Sequence, residues 1–144
     1  MIRIFAATKE QTEAIVSAEA AVVSDAWSAV SVASHMEQPC ARTLVAMDDG
    51  TLCGYLLGNL IPPEGEVYRV AVLPFARRRG IADALLTAFL AECESCFLEV
   101  RKSNVAARAL YEKHGFVLVA ERKRYYRAPE EDACIYQVQQ IGKR

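Results

Sequence analysis

The sequence predicts one α/β domain spanning residues 1–144, a mixed sheet with helices on both faces. Three observations support this. A chain of 144 residues suits one domain, and it shows no internal repeat, linker or low-complexity tract. Short β-branched and apolar runs alternate with stretches whose apolar residues recur at helical spacing. An Asp-Gly step between two apolar runs marks a tight hairpin. A sheet and amphipathic helices of this kind bury their apolar faces against each other.

The elements follow in chain order. Ile2 to Ala6 reads as a strand. Thr8 and Gln11 have the spacing of a capping box, which starts a helix running to about Val22 with Ala14, Ile15, Ala18 and Val22 on one face. Ser24 to Ser28 breaks that pattern and holds the only tryptophan, Trp27, before a second helix from about Ser28 to Gln38. Thr43 to Met47 and Leu52 to Leu60 flank Asp48-Asp49-Gly50-Thr51 as a hairpin. Pro62, Pro63 and Gly65 read as a loop, and Glu66 to Leu73 as a strand ended by Pro74. Ile81, Ala84, Leu85, Ala88 and Phe89 predict an amphipathic helix. Cys96 to Val100 is a short apolar strand. Ala106, Ala107, Leu110, Tyr111 and His114 form a helical face opened by Ser103 or Asn104 and closed by Gly115. Phe116 to Ala120 and Cys134 to Gln139 complete the strands.

Composition removes several classes of function. With 53% hydrophobic and 24% charged residues the chain is globular. A net charge of −1 excludes a molecule that reads nucleic acid by its overall field, so any anion site is local. No run reaches the length of a membrane span. Met1 to Ala7 is too short and mixed for a signal peptide, and a cytoplasmic protein is expected. Five cysteines, an odd number, argue against a disulfide framework. Cys93 and Cys96 lack further ligands at zinc-site spacing, so buried thiols are expected and no metal.

The densest cationic run, Arg77-Arg78-Arg79, lies between the strand ending Val70-Ala71-Val72 and the helix opened by Gly80-Ile81-Ala82. A helix N-terminus offers amides without intrahelical partners and the positive end of the dipole. A pyrophosphate suits that geometry, with arginines adding charge-assisted bonds. The bland alternative is a solvated basic turn.

Arg77, Gly80 and Ala82 match R/Q-x-x-G-x-G/A, the acetyl-CoA motif of the GNAT superfamily. Leu98-Glu99-Val100-Arg101, with Asn104, Leu110-Tyr111 and Gly115-Phe116, resembles the second half of those enzymes, most closely the RimI-type ribosomal-protein alanine N-acetyltransferases. Ala26-Trp27-Ser28, Tyr125-Tyr126 and Glu131-Asp132-Ala133 extend the resemblance over nearly the whole chain. Arg69 stands where relatives often have Asn, Leu73-Pro74 replaces Asp-Pro, and Ala26 replaces Pro.

The resemblance implies a GNAT-like domain with a mostly antiparallel sheet. It also implies an N-acetyltransferase with acetyl-CoA as co-substrate and a protein N-terminal peptide, of a ribosomal protein, as acceptor. Amides around Arg77 to Ala82 would hold the pyrophosphate, and the backbone of Val70 to Val72 the pantetheine arm. Asn104 resembles a further CoA contact, or is a plain helix cap. Glu99 would be the general base and Tyr111 the acid that serves the leaving thiolate. Their alternatives are an ion-paired strand residue and a core tyrosine, and Glu66 is a rival base. Trp27, Glu66, Arg69, Tyr125 and Tyr126 would border the acceptor, and Glu131-Asp132 would favour a basic peptide. A GNAT enzyme acting on a small amine or lysine, and a CoA-binding module without turnover, are the competing functions. Intact Glu99 and Tyr111 argue against the latter.

Overall fold

A computed structural model describes residues 1–23 and 25–140. The expected break at Ser24 to Ser28 thus begins on a residue outside the described ones. The elements are β1 (Ile2–Ala6), a 3-10 turn (Lys9–Gln11), α1 (Thr12–Val22), α2 (Ala29–Met36), β2 (Ala41–Asp48), β3 (Thr51–Ile61) and β4 (Glu64–Val72). After a second 3-10 turn (Pro74–Ala76) come α3 (Ile81–Leu90), β5 (Ser95–Arg101), α4 (Val105–Lys113), β6 (Val117–Tyr126) and β7 (Glu131–Gln139). The seven strands form one sheet in the order β1-β2-β3-β4-β5-β7-β6. All neighbours run antiparallel except β4 and β5.

Strand alternation divides the core between the two faces of the sheet. Leu44 and Ala46 join the cluster under α3 and α4, with Leu85, Phe89 and Tyr111, while Val45 between them joins the cluster under α1 and α2, with Ile15 and Val32. Helix α3 lies close to the strands because glycines clear its path. A Cβ at Gly58 or Gly65 would come within 2.9 Å of the Phe89 ring. Cys53, Cys93, Cys96 and Cys134 are buried among these apolar side chains.

Local chemistry fixes the turns as expected. Thr8 N–H donates to Gln11 Oε1 at 2.7 Å, closing the capping box ahead of α1. Asp49 and Gly50 both have positive φ, +52° and +81°, the geometry of a two-residue hairpin turn.

Several boundaries differ from expectation, for identifiable reasons. Gly65 lies inside β4 rather than in a loop, since β3 and β4 pair out to Ile61 and Glu64. Strand β6 runs on through Arg122, Lys123 and Arg124 to Tyr126, and β7 starts at Glu131. An edge strand needs no apolar alternation and carries charge without penalty. Helix α3 buries Leu86 and Leu90 and leaves Ala84 exposed, so its apolar stripe is rotated from the expected face. In α1, Ala14 is exposed and Glu19 is fully buried.

Candidate active site

Strands β4 and β5 pair over four residue pairs, from Glu64↔Ser95 to Val67↔Leu98, and then part. Pairing of β4 with β3 continues to Val72, interrupted opposite Leu57 and Gly58, where Tyr68 is the extra residue of a bulge. A wedge therefore opens between Tyr68–Val72 and Glu99–Arg101. It leads into a cleft of about 1120 Å³ bordered by the residues around Trp27, the turn before α3, the start of α4 and the end of β6.

The residues expected to hold the cofactor come together here, with one exception. Val70, Ala71, Val72, Arg77, Arg78, Gly80, Ile81, Ala82, Asn104 and Tyr111 all line this cleft. Arg78 and Gly80 are left-handed, at φ +65° and +72°, and turn the chain sharply into α3. No side chain caps α3, leaving its first-turn amides for a ligand. A Cβ on Gly80 would meet no atom within 4 Å, so glycine there serves the left-handed turn and leaves open space before those amides. Arg77 Nε donates to the Val72 carbonyl at 3.3 Å. Arg79 stands apart from its neighbours, since its guanidinium turns to Asp48 at 3.3 Å and does not line the cleft. Asn104 caps α4, its side-chain oxygen accepting from Ala107 N at 3.1 Å, while also lining the cleft.

Glu66 and Glu99, on the two parting strands, come together at the centre. Glu99 Oε2 is buried and has no hydrogen-bond partner among the described residues, and Oε1 lies 3.8 Å from Arg122 Nη1. Glu66 Oε1 accepts the Tyr68 hydroxyl at 3.0 Å. Burial raises the Glu66 pKa above the ordinary carboxylate value, the Tyr68 bond opposes this, and the charge of Glu99 raises it further. Tyr111 is 6% exposed and packs edge-on against Phe116, with no partner for its hydroxyl among the described residues. Burial holds its pKa up at about 12, so it stays a protonated donor at neutral pH. A carboxylate oxygen free to accept and a phenol free to donate thus face one cleft.

The residues expected to border the acceptor form two walls. Trp27 packs against Tyr68 and His35 at ring-centroid distances of 5.7 and 5.3 Å. Opposite, Tyr125 and Tyr126 pack edge-on at 5.1 Å at the end of β6. Arg69 lines the cleft but is committed to Glu19, donating to its carboxylate at 3.0–3.3 Å. Glu131 and Asp132 are matched internally. Glu131 pairs with Arg101 and Asp132 with Lys123, so neither presents a free charge to a basic peptide.

Glu19 is the buried residue behind this site that sequence reasoning missed. It also accepts the Tyr55 hydroxyl at 2.6 Å and the Trp27 N–H at 2.8 Å, fixing the chain after α1. Its spacing was the available signal, since Glu19 follows Ile15 by four residues and so shares the buried face.

Comparison with known proteins decides the family. Residues 4–116 match the acetyltransferase (GNAT) family. The chain is 38% identical to N-alpha-acetyltransferase RimI of Mycobacterium tuberculosis, covering 76% of this chain and 73% of that protein. The chain belongs to the GNAT acetyltransferase family. It is also 32% identical to the [ribosomal protein bS18]-alanine N-acetyltransferase of Escherichia coli K12, over 76% of this chain and 78% of that one. The crystal structure of the ribosomal-protein-S18-alanine N-acetyltransferase from Escherichia coli superposes with a TM-score of 0.89 at 27% identity, covering 96% and 94% of the two chains. The GNAT domain, mostly antiparallel sheet and N-acetyltransferase class expected from sequence are therefore borne out, with acetyl-CoA as co-substrate. No helix among the described residues is long and apolar enough to cross a membrane.

Proposed function

We propose that this GNAT acetyltransferase transfers acetyl to the N-terminal α-amine of a protein, with a ribosomal protein as acceptor in the cytoplasm. The observation that carries the reading is the buried, unbonded Glu99 Oε2 beside Glu66, between the Trp27 and Tyr125–Tyr126 walls. Two carboxylates in a cleft attract an ammonium group, and aromatic walls suit a main chain passing between them. An α-amine has a reference pKa of about 8 against about 10.4 for lysine, so it loses its proton far more readily near neutral pH. The named activities of the 38% and 32% identical relatives point the same way.

Acetyl-CoA supplies an activated acetyl group as a thioester. In this reading Arg77, Arg78 and the amides of Gly80, Ile81 and Ala82 hold its pyrophosphate. The unpaired edge of Val70–Val72 orients the pantetheine arm, and Asn104 borders it. Glu99 accepts the proton of the attacking amine, with Glu66 as the second charge that holds the ammonium form beforehand. Tyr111 donates to the departing sulfur.

The acceptor is tested with an alanine-starting basic peptide, its N-terminally blocked form and a polyamine, counting acetyl groups by intact mass. Acetylation of the free peptide alone is expected, and equal modification of the blocked peptide or polyamine overturns the N-terminal reading. A second expectation separates the three arginines. Reversing charge at Arg77 and Arg78 should raise the KM for acetyl-CoA by about tenfold or more, since charge-assisted bonds contribute about 1.5–3 kcal/mol each. Arg79→Ala should leave it within about twofold, because that side chain is turned to Asp48. Equal effects of the two substitutions would contradict the assignment.

A further inference from the structure

Arg101, the last residue of β5, reaches into the gap between the two walls of the acceptor side. Its Nε and Nη2 donate to both oxygens of Asp25, the Nη2–Oδ1 bond being 3.0 Å. Nη1 donates to Glu131 Oε1 at 3.2 Å and to the Pro129 carbonyl at 2.9 Å, and Nη2 donates to the Arg127 carbonyl at 3.0 Å. The guanidinium also lies 4.5 Å from the centroid of the Tyr126 ring. These bonds engage all five of its N–H groups, and the side chain is 13% exposed. No donor is left for a substrate.

Among the described residues no hydrogen bond or ion pair joins residues 25–27 directly to residues 125–131. Among the described residues, Arg101 is the residue that hydrogen-bonds to both. One wall carries Trp27 and is otherwise tied inward, by Arg69 Nη2 to the Asp25 carbonyl at 3.1 Å. The other carries Tyr125 and Tyr126 at the end of the edge strand β6.

We propose that Arg101 is a positioning residue that clasps these two walls and so sets the width of the acceptor cleft. The planar fork is what the role requires, since one flat cation with fixed donors can hold a carboxylate on one side and a turn of carbonyls on the other. Lysine would keep the charge and lose the fork. The proposal rests on the reading that the acceptor peptide enters between these walls.

The test compares wild type with Arg101→Gln, Arg101→Lys and Asp25→Asn by hydrogen–deuterium exchange and steady-state kinetics. In Arg101→Gln, amides of residues 25–27 and 126–131 should exchange faster together. The acceptor KM should rise by about tenfold, as expected when orientation is lost but the reacting groups remain. The KM for acetyl-CoA should stay within about twofold, because Arg101 has no donor to offer it. Asp25→Asn should loosen the Trp27 wall alone, and Arg101→Lys should fall between wild type and Arg101→Gln. Unchanged protection of either wall in Arg101→Gln, or a KM for acetyl-CoA that rises in step with the acceptor's, overturns the clasp. If Arg101→Gln does not fold, the same comparison is read from Arg101→Lys and Asp25→Asn. Exchange is measured without acceptor, so it decides the clasp even if wild type proves to acetylate only polyamines and the peptide reading fails.

Discussion

Replacing Glu99 by glutamine is expected to lower kcat by about a hundredfold or more, the range for a lost general base. Glutamine keeps the size and shape of the side chain but cannot take a proton. The KM for acetyl-CoA should move little, since the residues proposed to hold the pyrophosphate, Arg77 to Ala82, are not among those that Glu99 contacts. The pH profile adds a second readout. Burial, and after it the charge of Glu99, holds the Glu66 pKa above its ordinary value. In Glu99→Gln the charge contribution is gone, so Glu66 ionises at lower pH. Any residual rate that depends on Glu66 should then extend further into acid than the wild-type rate does. If Glu66→Gln abolishes activity while Glu99→Gln is near normal, the two roles are exchanged.

The second large effect is on stability. Glu19 is fully buried and holds Arg69, Tyr55 and the Trp27 amide at once. Glu19→Ala strands the Arg69 guanidinium, whose side chain is only 20% exposed, and leaves the Tyr55 hydroxyl unmatched. Breaking one partner of a buried ion pair costs about 3–5 kcal/mol. For a domain of this size that corresponds to a Tm lower by about 10 °C or more. Glu19→Gln should cost less, because its carbonyl still accepts from Tyr55 or Trp27. Removing both ions in Glu19→Ala/Arg69→Met should cost less than the sum of the single changes, since no unpaired charge remains. A Tm for Glu19→Ala within about 2 °C of wild type would show that the pair is not a stability determinant.

Much of this molecule was legible because its signals are local. The Asp49-Gly50 turn, the capping box at Thr8 and the basic turn entering α3 each depend on a few adjacent residues. So does the Glu99–Tyr111 spacing, which one short strand and one helix fix. What was not legible depends on register between distant segments. The parting of β4 from β5 after Val67 follows from which residues pair, and no side chain announces it. Arg79 reads like Arg77 and Arg78 until Asp48, 31 residues earlier, is found beside it. Glu131 and Asp132 look like a free acidic surface until the hairpin folds them onto Arg101 and Lys123. Strand β6 runs past Ala120 through three successive cations, a pattern that an edge position permits and that no apolar alternation announces.

The parting strands also have a mechanical meaning. The sheet is a plate with a slit cut in from one side, and any load that pries its halves apart concentrates at the closed end of the slit. That tip lies at Val67↔Leu98. Val67, Phe89, Cys93, Cys96 and Leu98 are all at most 2% exposed, and the Phe89 ring is set against Gly65 there. Close packing thus stands where a crack would start. Small thiols and a glycine let an aromatic ring act as the rivet, and a bulkier residue at Gly65 would lever the slit open from its root.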